Sequence, residues 1–205
     1  GDENKILYVP GVVSQAFKFR GNSFESNIVV KDSEVNLNLG HEINFYTKTS
    51  KDDFSIEAWI NAEKFESGTI VSKTYSNENG YELSLTGEGE ISFYMGSSNS
   101  VYSNSVIVTT IDKSFNDGEW HHLVLTYDVP EVTSGCPQTS SFFKIYVDGD
   151  LRKTTSPPGK DRYCDGSSYN NEKVRIGSTA TGNYFEGFID EVSFYGQALL
   201  SSKVN

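Results

Sequence analysis

Hydrophobic and polar residues alternate along this chain in short runs, and the period is two. Phe54, Ile56, Ala58 and Ile60 fall on one side of an extended segment, and Tyr81, Leu83 and Leu85 do the same in the next. Ile91, Phe93 and Met95 follow, then Leu123, Leu125 and Tyr127, then Phe143, Ile145 and Val147. Successive side chains of a strand point to opposite faces, so each run predicts a β-strand with one buried face. Turn chemistry bounds the runs: Glu78-Asn79-Gly80, Gly87-Glu88-Gly89, Asp117-Gly118 and Asp148-Gly149 supply the positive φ that tight hairpins need. They recur at the spacing of an antiparallel sandwich rather than of βαβ units. No segment carries a convincing helical period, and the tail QALLSSKV (197–204) has room for one or two turns. Residues 130–142 and 155–172 break the rhythm. With four of the five prolines and both cysteines, they read as long loops. Neither a repeat nor a linker-like shift divides the chain, so residues 1–205 are read as a single domain.

Composition agrees. The 205 residues include 12 Tyr, 13 Phe and 2 Trp but only five alanines, so the core is built from large aromatic and β-branched side chains. The net charge of −11 leaves no cationic footprint for a phosphate backbone or an anionic membrane surface. The longest apolar stretches fall far short of the roughly 18 to 20 residues of a spanning helix. GDENKILYV has neither the basic start nor the apolar stretch of a signal peptide, which predicts a mature N-terminus or a piece excised from a larger protein. Cys136 and Cys164 form no CxxC pair, so a zinc knuckle or thioredoxin-type site is excluded. An even count in a chain otherwise free of thiols predicts one disulfide and an oxidising compartment, two buried free thiols being the alternative. The bridge would tie the two long loops across the hairpin at 143–153 and constrain the unfolded chain by about 3 kcal/mol.

Several segments carry a family resemblance. QAFKFRGNSFESNIVV (15–30), DFSIEAWINAE (53–63), DGEWHHLVLTYD (117–128), FKIYVDGDL (143–151), VRIGS (174–178) and GFIDEVSFYGQAL (187–199) occur in order over almost the whole chain. Together they resemble the laminin-G-like, concanavalin-A-like jelly-roll family, which includes pentraxins and lectin-like modules attached to sialidases and adhesins. The resemblance implies an all-β fold of two antiparallel sheets, face to face, with about six or seven strands each.

The family also contains endoglycanases, whose retaining members resemble one another in placing carboxylates at i, i+2 and i+4 of one strand. Two such groups must flank the scissile bond at about 5 Å. Here Glu186 and Asp190 share a face with Phe188 between them, and Glu88 and Glu90 straddle Gly89 in a turn, so the catalytic pattern is missing. His41 is isolated. His121 and His122 are neighbours on opposite faces of a strand, a poor geometry for joint metal binding, and the first of them is read as a packed strand residue.

Asp190 is the anomaly. Period-two alternation puts it in line with Phe188, Val192 and Phe194, and a buried carboxylate needs a base, backbone N–H donors or a hard cation. The resemblance points to a structural calcium clamped between the opening strand pair and Asp190, with further oxygens from the backbone at Gly21 and the side chain of Asn27. The family more often has Asp at that last position, so one charge is lost. The alternative is an Asp190 satisfied by backbone amides. For ligand binding, the loop residues Tyr163, Asp165, Tyr169, Asn170 and Asn171, and Tyr75, Asn77 and Asn79, combine aromatic rings with hydroxyl-binding groups. The expected function is a non-catalytic, extracellular or surface binding module for a glycan or glycoprotein, with calcium as a structural or bridging ion and weak sites strengthened by multivalency. A structural or protein-binding domain without a sugar site is the rival; direct membrane insertion and nucleic acid are excluded as partners.

Overall fold

The computed structural model describes residues 6–30, 53–74, 80–98, 103–128, 142–155 and 172–204. Thirteen strands are assigned among them: β1 (Leu7–Pro10), β2 (Gln15–Arg20), β3 (Ile28–Val30), β4 (Phe54–Asn61), β5 (Gly68–Thr74), β6 (Gly80–Leu85), β7 (Ile91–Ser98), β8 (Ser103–Thr109), β9 (Trp120–Asp128), β10 (Phe142–Val147), β11 (Asp150–Thr155), β12 (Val174–Ile176) and β13 (Glu186–Tyr195). Seven form one antiparallel sheet in the order β1-β2-β13-β4-β9-β10-β11, and six form the other, β3-β12-β5-β6-β7-β8. The sheets pack face to face as a jelly roll. Among the described residues no helix is long and apolar enough to cross a membrane, and the tail keeps a single 3-10 turn, Ser201–Lys203.

The five alternating runs of β4, β6, β7, β9 and β10 face inward as expected. Phe54, Ile56, Ala58 and Ile60 of β4 pair with Tyr127, Leu125, Leu123 and His121 of β9, and all but His121 join the main core. Opposite them, the register aligns Ile28, Ile176, Val71, Leu83, Phe93 and Val108 in one row across the six-stranded sheet. Phe54, Tyr127, Phe143 and Phe93 join the layers, with Tyr127 stacked on Phe143 at 4.4 Å and Phe143 tilted against Phe93 at 5.6 Å. Each ring removed from water contributes about 1.5–3 kcal/mol, which is how a chain poor in alanine and methionine sustains two layers. Gly177, at φ +86, marks the tightest contact: a Cβ there would lie 2.3 Å from two atoms of the Phe19 ring.

One expected alternation is wrong. β13 faces the core with Ile189, fully buried, whereas Phe188 and Asp190 point to the outer face. The register runs Asp190↔Trp59 and then Ser193↔Glu57, so β13 spends three steps where β4 spends two. The extra residue is absorbed at Glu191, whose φ is +49. This bulge reverses the phase of the strand, and only beyond it do Val192 and Phe194 turn inward. Asp190 is therefore not in line with three core residues. It is buried, at 3% exposure, on the outer face.

Because β4 leads into β5 through residues 62–67, Asn61 and Gly68 share one end of the sandwich, and Phe54 and Thr74 share the other.

Candidate carbohydrate-binding face

The outer face of the seven-stranded sheet carries rows of side chains set by the register. Lys18, Phe188, Asn61 and Trp120 form one row across β2, β13, β4 and β9. Asp190, Trp59 and His122 form the next, and Ser193, Glu57, Val124 and Tyr146 the one after. An antiparallel sheet with one solvated face ordinarily shows polar residues there. This one shows both tryptophans of the chain, partly exposed, with Phe188 beside them. Trp59 stacks on His122 at 4.8 Å between centroids, Trp120 leans on Phe188 at 6.3 Å, and the Lys18 ammonium lies 5.4 Å from the Phe188 centroid.

Polar atoms are fixed among the rings. Tyr195 donates its hydroxyl to Glu57 Oε2 at 2.5 Å, and His122 Nε2 lies 2.7 Å from Glu57 Oε1. The hydrogen bond to Glu57 is the main cause that raises the Tyr195 pKa, with burial and the carboxylate charge behind it. Asn61 Nδ2 donates to the Gly118 carbonyl at 2.6 Å. On the inner side of β9, His121 packs edge-on against Phe115 and lies 2.8 Å from Asp148 and 3.1 Å from Asp117, so the first of the paired histidines is a packed strand residue as expected. Burial pushes the Asp117 carboxyl up, but the Glu119 amide and the His121 ring outweigh it and hold it below its ordinary range.

Two walls bound the patch. On one side the tail returns, tied by Ser55 to Gln197 and Leu199, so that Val204 and Leu199 cover Val124 and Tyr146. On the other, the β1–β2 turn lies over Asp190. Val12 and Val13 donate their amides to Asp190 Oδ2 at 3.0 and 3.2 Å, and Glu191 donates its own to Oδ1 at 3.0 Å. Gly21 and Asn27 are elsewhere: Arg20 pairs with Glu186 and Gly21 bonds to Phe185, which puts Gly21 about 15 Å along the strands from Asp190. Asn27 turns its amide toward the Glu25 carbonyl. The three residues assigned to calcium do not converge, and amide N–H groups are partners for an anion, so this donor set does not fit the ion. Among the described residues no group of three or more His, Cys, Asp or Glu gathers for a metal.

Glu186 and Asp190 do not form a hydrolytic pair. Both oxygens of Asp190 are occupied by amides, and Glu186 is hydrogen-bonded to Glu66 instead. Burial first, then that bond and the charges of Glu186 and Glu63, raise the Glu66 pKa. The outer face of the other sheet is closed at its centre. Arg175, Ser72, Glu82 and Tyr94 share a row there, but Ser72 is fully buried and Glu82 is taken up by Thr69 and Asn183 at 2.6 and 2.9 Å.

Tyr75, Asn77, Asn79, Tyr163, Asp165, Tyr169, Asn170, Asn171, Cys136 and Cys164 lie outside the described residues. The strand ends that flank 75–79, Thr74 and Gly80, and Val174 after the second loop, lie at the end of the sandwich opposite Asn61 and Trp120. The aromatic patch itself was missed in sequence, although its signal was present: Trp59 and Trp120 stand one position out of phase with the core residues beside them.

Two sheets in a jelly roll, with this topology and register, define a concanavalin A-like domain. The chain belongs to the Laminin G 3 family of the concanavalin A-like lectin/glucanases superfamily, whose family description matches residues 32–205. No curated protein matches it. Among solved structures it is similar to the CBM40 of the Ruminococcus gnavus IT-sialidase bound to α2,3-sialyllactose, with 14% identity, a TM-score of 0.51 and coverage of 74% of this chain and 79% of that one. Domain 4 of AbnA, a GH43 extracellular arabinanase of Geobacillus stearothermophilus in complex with arabinotriose, is similar at 20% identity and a TM-score of 0.57, over 98% of this chain and 79% of that one. The binding domain of botulinum neurotoxin serotype D/C is similar at 15% identity and a TM-score of 0.59, over 99% of this chain and 45% of that one.

Proposed function

We propose that this domain is a non-catalytic carbohydrate-binding module of a secreted or cell-surface protein, and that it takes a glycan on the outer face of the seven-stranded sheet. One observation carries the reading: both tryptophans and Phe188 stand on a solvent-facing patch, walled on two sides, where polar residues are the rule. A sugar ring has an apolar C–H side and a rim of hydroxyls. Aromatic surface answers the first, and Glu57, Tyr195, His122, Asn61 and Lys18 supply acceptors and donors for the second. The sialyllactose and arabinotriose complexes of the similar domains support the class of ligand. Single-site affinity on so shallow a surface is low, and repetition on a parent protein raises it.

A second reading places the contact on Tyr75, Asn79, Tyr163, Asp165, Tyr169 and Asn170; the described strand ends Thr74, Gly80 and Val174, at one end of the sandwich, favour it. A glycan array probed with the wild type and with Trp120→Ala, each with calcium and with chelator, tests both. Signal lost in Trp120→Ala supports the sheet face, retained signal moves the site to the loops, and a blank array leaves the structural or protein-binding rival.

A further inference from the structure

Asp190 is the most buried carboxylate of the described outer face, and its surroundings are those of an anion. Three amide N–H groups converge on its two oxygens, from Val12, Val13 and Glu191. Two of the three come from a turn 177 and 178 residues away in sequence, so the contact closes the first hairpin onto β13. The turn is shaped for the contact. Ser14 sits at φ +65, Gly11 donates to the Ser14 carbonyl at 3.3 Å, and a Cβ on Gly11 would lie 2.4 Å from Asp190 Oδ2. The bulge at Glu191, φ +49, turns the third amide back onto its neighbour's carboxylate. Successive amides arranged in this way form a concavity of positive partial charge. A hard cation entering it would meet N–H dipoles pointing the wrong way, where it requires six to eight oxygens.

We propose that Asp190 is the resident anion of an amide nest, a latch that fixes the first hairpin without metal, and a positioning residue for the wall beside Trp59, its partner in register. The latch stands on its own; the importance of the wall for a ligand rests on the proposed glycan face. In a family expected to clamp this point with calcium, the domain would then keep its shape in calcium-poor surroundings.

The test is an amide NMR titration of the wild type with millimolar calcium, joined to melting curves of wild type and Asp190→Asn with calcium and with chelator. The Val12, Val13 and Glu191 signals should stay in place. Asp190→Asn should lower the melting temperature by the same amount in both conditions and shift the Trp59 indole signal more than that of Trp120. A calcium effect on melting that persists in Asp190→Asn supports the latch, because its oxygens then lie elsewhere. Movement of the three amides with calcium, or a melting penalty confined to calcium-containing samples, overturns it. Should Asp190→Asn fail to fold, the wild-type titration decides alone.

Discussion

Glu57 ties together three strands of the proposed face, and its removal has a cost that the geometry sets. Glu57→Ala takes away the acceptor of the Tyr195 hydroxyl at 2.5 Å and the partner of His122 at 2.7 Å. A buried charge-assisted hydrogen bond is worth about 1.5–3 kcal/mol. The Glu57 side chain is 23% exposed and that of His122 12%, so water replaces part of what is lost. The sum expected for Glu57→Ala is about 2 kcal/mol, and Tyr195→Phe alone should cost about 1 kcal/mol. At about 2–4 °C per kcal/mol for a domain of this size, the first change lowers Tm by about 4–8 °C. Urea denaturation followed by circular dichroism gives the global loss, and fluorescence of the two tryptophans reports the patch itself. In a double-mutant cycle the two substitutions should couple by about 1 kcal/mol, because they remove the same bond. Losses below about 0.5 kcal/mol that simply add would show that the network is an incidental surface contact and refute the reasoning.

Gly177→Ala forces a side chain onto the buried Phe19 ring and keeps φ at +86, so a loss of about 3 kcal/mol is expected in chemical denaturation; under 1 kcal/mol would mean that Phe19 can move aside freely. Glu66 has a raised pKa, so its protonated form is favoured in the fold; that stabilising contribution is full below its ordinary value of 4.5 and is lost as pH rises through the raised one. Glu66→Gln should therefore melt higher than wild type at pH 7, with the gap closing toward pH 4, and a lower melting temperature at pH 7 would contradict the assignment.

Alternation made much of the fold legible. Inward runs in β4, β6, β7, β9 and β10 follow from period two, and Asp148 and Gly149, both at positive φ, form the hairpin turn that their sequence announces. The bulge of β13 was not legible, because Glu191 occupies the left-handed region without the glycine or asparagine that usually marks it. The Asp190 error followed from that single residue. Lys73 shows a second limit: it is 1% exposed, shares a register position with core Tyr81, and reaches the Glu172 carbonyl, a partner 99 residues away. No local pattern contains such a contact. For the candidate face, the out-of-phase tryptophans were readable, but the alignment of β13 and β4 with β9 that joins them to Phe188 is a tertiary fact.

The most direct test of the central claim uses the two indole N–H signals, since Trp59 and Trp120 are the only tryptophans and both stand on the proposed face. With a glycan identified on the array, a titration of labelled protein should move both indole signals along one saturating curve, together with the amides of Asn61, His122 and Phe188. If the glycan saturates the protein while both indoles stay in place, the outer face of the seven-stranded sheet is not the binding site.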